Sequence, residues 1–380
     1  MFLNKLISRN RNLIDYAIKA HNNLEIAPDT YIIDLDTFVD NAKKILEKAN
    51  LEGIELFFML KQIGRNPLLA KKLIELGYPG AVCVDFKEAL RMMQHNIAIM
   101  NVGNLVQVPK IYLEDILKYG VKYLTVYSLE KLRDIDEISA KLGKVQKIML
   151  RIQEKDSIKF DPQSGGFQLD ELDRVASEFK KLKNVELSAL TAFPAFSFDE
   201  NYSVNDNYNS IIKAREILQK YGYNSLKLDL PSGNALSMIS YAKEVGADIL
   251  EPGHSFTGTC PYHVKNDDSE NICILYLSEV SHTYDGNSYI YGGGHYRRGH
   301  VKNVLIDNRV QEVKESNPTD IDYYFKVIGE NKVNQTAIMA FRFQIFVTRS
   351  DVCIVSGLSK KNPKIEGFYD SLGREKCLRE

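Results

Sequence analysis

From residue 54 to residue 254 the chain repeats one pattern: a short run rich in Val, Ile and Leu, a polar turn, then apolar residues at helical spacing. The runs cover residues 56–60, 81–84, 97–102, 123–126, 148–152, 187–190, 226–230 and 248–250. They are continuously apolar instead of alternating, as expected of parallel strands covered on both faces. Eight such units predict a (β/α)8 TIM-like barrel. The intervening helices carry their own punctuation: one over 66–76 has Pro67 in its first turn and stops at Gly77, and one over 130–142 stops at Gly143.

Past Pro261 the pattern changes. Runs at 272–280, 288–291, 300–306, 323–328, 337–347 and 352–355 are separated by turn signals such as Asp285-Gly286 and Asp307-Asn308, with no helical spacing between them. They predict a separate, mainly antiparallel β domain. Ahead of the barrel, residues 1–23 read as helix and 30–34 as a short strand followed by another helix. The expected organisation is therefore a helical extension over 1–28, a barrel over 29–262 and a β domain over 263–380.

A hydrophobic fraction of 44% and a charged fraction of 26% over 380 residues fit a folded chain too long for one ordinary domain. Forty-nine Lys and Arg against fifty Asp and Glu give no electrostatic case for a nucleic-acid or membrane-surface partner. No apolar run approaches the roughly 18 residues of a membrane span, so a cytoplasmic protein is expected. The five cysteines are scattered without a CxxC pair, which argues against a disulfide framework or a zinc knuckle, and no metal site is expected. Phosphate-loop, HExxH and GxGxxG motifs are absent.

Active sites of such barrels lie where the strands end, so the residue closing each apolar run carries the information. Lys61 closes the first run. An ammonium at the rim of a dry strand is a candidate for a lowered pKa and imine formation with an aldehyde, though a strand-ending lysine can equally reach solvent. Ser232-Gly233-Asn234 reads as a helix-opening turn whose backbone suits a phosphate, or as an ordinary N-cap. Glu251 closes the last run before Pro252-Gly253-His254, where its carboxylate could accept from a protonated ring nitrogen. Arg151, inside an apolar run, needs a buried partner or an anion.

Together these positions resemble the fold type III pyridoxal-phosphate enzymes, the alanine racemase and ornithine decarboxylase superfamily. Lys61 stands where that family has its Schiff-base lysine. Met149-Leu150-Arg151-Ile152 resembles the decarboxylase branch, whose strand arginine lies near the cofactor. Glu251-Pro252-Gly253-His254 resembles that branch's Glu-Pro-Gly-Arg, in which the glutamate binds the pyridine nitrogen and the last two residues serve the phosphate. Gln62-Ile63-Gly64-Arg65-Asn66-Pro67, with residues 251–261, resembles the YhfX-like group of alanine racemase-like proteins.

The resemblance implies pyridoxal 5'-phosphate as cofactor, an amino acid as substrate, and a homodimer with shared active sites. It implies Arg65, Ser232, Gly233, Asn234, Gly253 and His254 at the phosphate, Phe193 in place of the family histidine that stacks on the ring, and a second catalytic residue from the neighbouring subunit. The segment Gly292-Gly293-Gly294-His295-Tyr296-Arg297-Arg298-Gly299 offers Tyr296 for that role, with His295 as competitor and Arg297 or Arg298 for a substrate carboxylate. The expected activity is amino-acid racemisation. A decarboxylase or aldolase of the same fold and a non-catalytic cofactor carrier are the alternatives, because alanine racemases carry arginine where Glu251 stands.

Overall fold

Each apolar run between residues 54 and 254 forms a strand in the computed structural model, which describes residues 2–377 except 199–200, 265, 267–269 and 318. The strands are all parallel, in the order Phe58–Met59, Ala81–Cys83, Ile99–Val102, Tyr123–Val126, Gln146–Arg151, Val185–Thr191, Lys227–Asp229 and Ile249–Leu250. Ile249–Leu250 then pairs with Glu55–Leu56, which only Phe57 separates from Phe58–Met59. The sheet thus meets its own first strand and closes as the expected barrel.

Its interior is filled by Phe57, Met59, Val82, Val84, Met100, Tyr123, Met149, Ala189 and Ile249. Side chains alternate along a strand, so residues two positions beyond Met149, Ala189 and Ile249 share the inward face. They are Arg151, Thr191 and Glu251, and the apolar core therefore ends in a polar layer at the carboxyl ends of the strands. Register aligns that layer: Arg151 pairs with Thr191, Thr191 with Asp229, and Asp229 with Ile249.

Two compact units divide the chain. The barrel unit comprises Ile45–Leu60 and Ala70–Gly253; among described residues the other comprises Met1–Lys44, Lys61–Leu69 and His254–Glu380. These limits depart from the linear boundaries expected above. The strand Thr30–Asp34, which the sequence places at the start of the barrel, lies in the β unit, antiparallel to Ile274–Tyr284 and parallel to Asp351–Ser356. Nothing local to those five residues specifies such distant partners.

The β unit is a mainly antiparallel nine-stranded sheet in which Asn287–Tyr291 also pairs with Ile274–Tyr284. Two of its strands escape the apolar pattern: Arg309–Lys314 because it is largely exposed and polar, and Lys364–Tyr369 because Lys364, Glu366 and Gly367 interrupt its apolar residues. Conversely, the apolar run 337–347 is strand only over Thr336–Met339, and Phe341 and Phe343 enter an aromatic cluster instead. Their ring centroids are 4.8 Å apart, and Tyr31 lies 5.1 Å from both Tyr276 and Phe343. The amino-terminal helix is two, Leu3–Arg9 and Arg11–Asn22, joined at Asn10, whose side chain accepts from Leu13 N–H and donates to Asp34 Oδ2 at 3.0 Å.

Candidate active site

In the barrel unit the polar layer is built around two carboxyl groups. Asp229 is wholly buried and Glu251 is 6% exposed, on neighbouring strands at the same end. Burial raises the Asp229 pKa well above the usual carboxylate range, and the Glu251 charge beside it raises it further; a contact with Thr191 opposes both. Two carboxylates cannot both ionise cheaply in a dry layer, so the pair favours retaining a proton. Sequence reasoning missed Asp229, although a carboxylate inside the apolar run 226–230 was a usable signal.

The Asn234 side chain braces the strand end beside it. Its Oδ1 accepts from the Glu251 backbone N–H at 2.8 Å, while its Nδ2 donates to Ser232 O at 3.2 Å and Leu230 O at 3.4 Å. The side chain is thereby committed to bracing Glu251. The turn also opens no α-helix directly: a 3-10 turn, Leu236–Met238, intervenes before the helix Ile239–Glu244. Ser232 Oγ accepts from Phe196 N–H at 3.2 Å. Gly233 has φ of +59°, and a Cβ there would lie 2.3 Å from Phe198 Cε1, so only glycine lets the turn pass that ring.

Arg151 is 1% exposed, and its guanidinium is fixed by neutral acceptors. Nη1 donates to Asn104 O at 2.8 Å and to Tyr127 Oη at 2.6 Å, and Nη2 donates to Gln163 O at 2.8 Å and Gln153 Oε1 at 3.2 Å. Among the described residues its Nε, Asn104 Oδ1 and Gln153 Nε2 are buried without a partner. Burial raises the Tyr127 pKa, opposed by the Arg151 charge. Phe193 is half-buried, its ring 5.9 Å from that of Phe160. Gly253, two residues beyond Glu251, is buried and ends this unit.

The other expected residues belong to the β unit. Lys61 opens a 3-10 turn, Lys61–Ile63, two residues past the strand Phe58–Met59. Arg65 is buried, left-handed at φ +54°, with its guanidinium 5.2 Å from the centroid of the Phe346 ring. His254 is buried between Thr259 Oγ1, 3.1 Å from Nδ1, and Gln344 Nε2, 3.2 Å from Nε2. Burial pushes its pKa well below the ordinary imidazole value, and the charges of Arg342, Lys61 and His263 push it further. The ring is therefore neutral at pH 7 and offers no cation of its own. Tyr296 is half-buried just before the 3-10 turn Arg297–Gly299, whose first side chain lies outside what the structure describes. Its competitor His295 faces Asp322 at 3.5 Å and packs edge-on against Phe325 and Phe341.

A group carrying a cationic ring nitrogen fits the barrel layer, where a braced glutamate, a proton-sharing aspartate and unsatisfied donors and acceptors converge. Among the described residues no set of three or more His, Cys, Asp and Glu side chains could hold a metal ion, and no helix is long and apolar enough to cross a membrane.

A family model described as alanine racemase, N-terminal domain, matches residues 33–261, and one described as YhfX-like, C-terminal domain, matches 275–365. The uncharacterized protein YhfX of Escherichia coli (strain K12) is 39% identical over 98% of this chain and 99% of its own. Among solved structures, D-threonine aldolase from Filomicrobium marinum superposes with a TM-score of 0.68 at 14% identity, covering 91% of this chain and 94% of that one. Alanine racemase of Clostridium difficile 630 in complex with cycloserine gives 0.62 at 18% identity, covering 90% and 98%.

Proposed function

The chain belongs to the alanine racemase family, fold type III pyridoxal-phosphate enzymes, and within it to the YhfX-like group, and we propose from this that it is a pyridoxal-phosphate-dependent amino-acid racemase. The observation that carries the cofactor reading is the buried pair Asp229 and Glu251, with Asn234 braced against the Glu251 backbone. When bound, pyridoxal phosphate supplies an electron sink for charge developing at the substrate Cα.

The chain's own residues divide the remaining work. Glu251 would accept a hydrogen bond from the ring nitrogen and favour its protonated form, and Asp229, when protonated, would spare Glu251 the repulsion of a second buried negative charge. Ser232, Gly233, the Asn234 backbone, Gly253, the His254 backbone and the Arg65 guanidinium would hold the phosphate. The Arg151 hydrogen bonds set one wall of the site. Lys61 would hold the cofactor through its Nζ and serve as base on one face of the substrate Cα, and Tyr296 of a neighbouring subunit would serve the other face. A homodimer with shared sites is the assembly we propose.

Glu251 also favours a second reading within the same family. The strong pull of a protonated ring suits decarboxylation or aldol cleavage as well as racemisation, and one solved relative in fold is called an aldolase. A non-catalytic carrier is disfavoured because the carriers of this fold lack an antiparallel domain. The test is borohydride reduction of the purified protein with pyridoxal phosphate, followed by peptide mapping, and incubation with single amino-acid enantiomers in D2O. Label on Lys61 with deuterium entering Cα and loss of optical purity supports the racemase; label on another lysine, or none, removes the reading.

A further inference from the structure

We propose that Arg342 binds the carboxylate of the amino-acid substrate, a role that rests on the amino-acid reading above and that none of the sequence motifs assigns. Arg342 lies between Phe341 and Phe343, each 1% exposed and packed into the aromatic cluster with Tyr31. Arg342 itself is half-buried, and its charge acts on the buried His254 ring, which lies 3.2 Å from Gln344 Nε2.

The turn bearing Tyr296 is fastened onto the same residue. Arg342 N–H donates to Gly299 O at 3.4 Å, and Gly299 N–H donates to Tyr296 O at 2.6 Å. A Cβ on Gly299 would lie 2.9 Å from Arg342 O, so glycine is needed for this approach.

Charge completes the case. The groups acting most strongly on the guanidinium are Tyr296, Arg298 and Cys260, and none is a carboxylate. Among the described residues Arg342 Nε is buried without a partner. Burial lowers the Arg342 pKa, and the Arg298 charge lowers it further. A guanidinium nonetheless keeps its proton in proteins, so the unit carries a cation that an arriving anion would compensate. The planar fork matches a carboxylate bidentately. Arg342 and Tyr296 belong to one protomer and act on each other, so in a shared site both would be supplied together, and a carboxylate anchored on Arg342 would bring the Cα bonded to it toward Tyr296. Arg298, expected as a candidate for this task, is exposed.

Thermal unfolding of the wild-type protein and of Arg342→Met, Arg342→Gln and Arg342→Lys, titrated separately with propionate, inorganic phosphate and pyridoxal phosphate, tests the assignment. Propionate should stabilise the wild type saturably, and its affinity should fall by about tenfold to a hundredfold in Arg342→Met and Arg342→Gln, with partial retention in Arg342→Lys. Phosphate and pyridoxal phosphate should stabilise all four alike. With an amino acid that is turned over, Arg342→Lys should raise KM more than it lowers kcat. Equal propionate affinity in all four proteins overturns the proposal. So does loss of phosphate stabilisation with propionate binding intact, which would assign Arg342 to the cofactor. Failure to bind pyridoxal phosphate at all would instead remove the functional reading, while the propionate titration still reports on Arg342.

Discussion

Replacing Asp229 by Asn should change how the stability of the cofactor-free protein depends on pH, with a sign that follows from burial. The folded-state pKa of Asp229 lies well above the usual carboxylate range because desolvation, and secondarily Glu251, disfavour its charge. The folded state therefore binds more protons than the unfolded one above the ordinary Asp value of about 3.9. That contribution is fully present below this value and is lost as pH rises toward the folded pKa. Within that window each pH unit costs about 1.4 kcal/mol, the linkage slope for one proton. Asn keeps the shape and carries no proton, so Asp229→Asn should gain about 1.4 kcal/mol relative to wild type for each unit between about pH 5 and about pH 6. Urea unfolding of both proteins across this range, followed on the barrel's transition, reads the difference directly. Glu251→Gln supplies a control: desolvation is the larger cause, so the folded pKa should fall yet stay raised, and the sloping window should narrow without vanishing. Parallel curves for wild type and Asp229→Asn would show that Asp229 holds no extra proton, and the shared-proton account of the site would fall with it.

Three further outcomes are expected. Glu251→Gln should lower turnover by about a hundredfold or more, equivalent to ~3 kcal/mol of lost electrostatic stabilisation; turnover within a few-fold of wild type would reduce Glu251 to a turn residue. Asn234→Ala should cost about 1–3 kcal/mol by orphaning the buried Glu251 N–H, and Asn234→Asp, which keeps the acceptor, should cost less; equal losses in urea unfolding would contradict the bracing role. Gly233→Ala should destabilise by at least about 1 kcal/mol through its positive φ and the clash with Phe198, with part of the loss recovered in Gly233→Ala/Phe198→Ala; absence of any recovery would leave backbone strain as the whole cause.

Much of this molecule was legible because burial on both faces leaves a local signature. The eight apolar runs became the eight strands of the barrel, and Glu251 stood out as the polar residue that closes the last one. The strand Arg309–Lys314 left no such trace, since an exposed strand needs no apolar residues to form, and in Lys364–Tyr369 the half-buried positions are shared between apolar and polar residues. Asp229 went unnoticed because its neighbours supply a sufficient strand reading; its importance comes from Glu251 across the ladder, and pairing register is not written in either segment alone. Asn234 was read from its motif as a phosphate ligand; its side-chain bond to Glu251 is set by where the chain returns 17 residues later. Arg342 was hidden for the same reason as Thr30–Asp34: its neighbours come from distant stretches of chain.

That strand also governs the order in which the protein can be made. Thr30–Asp34 leaves the ribosome early, yet the strands that flank it, Ile274–Tyr284 and Asp351–Ser356, emerge only after the whole barrel. The hydrogen bond from Ser350 to Asp29, at the strand's threshold, spans 321 residues. At roughly 5 to 20 residues per second the segment waits on the order of 10 to 50 s for its first partner and on the order of 15 to 60 s before both edges can be paired. All five of its residues are buried in the finished fold, so through that interval an apolar ribbon is open to wrong partners. Premature termination before Asp351 would leave that vulnerability permanent, and nascent chains of this protein should accordingly depend on chaperone shielding until their last hundred or so residues are translated.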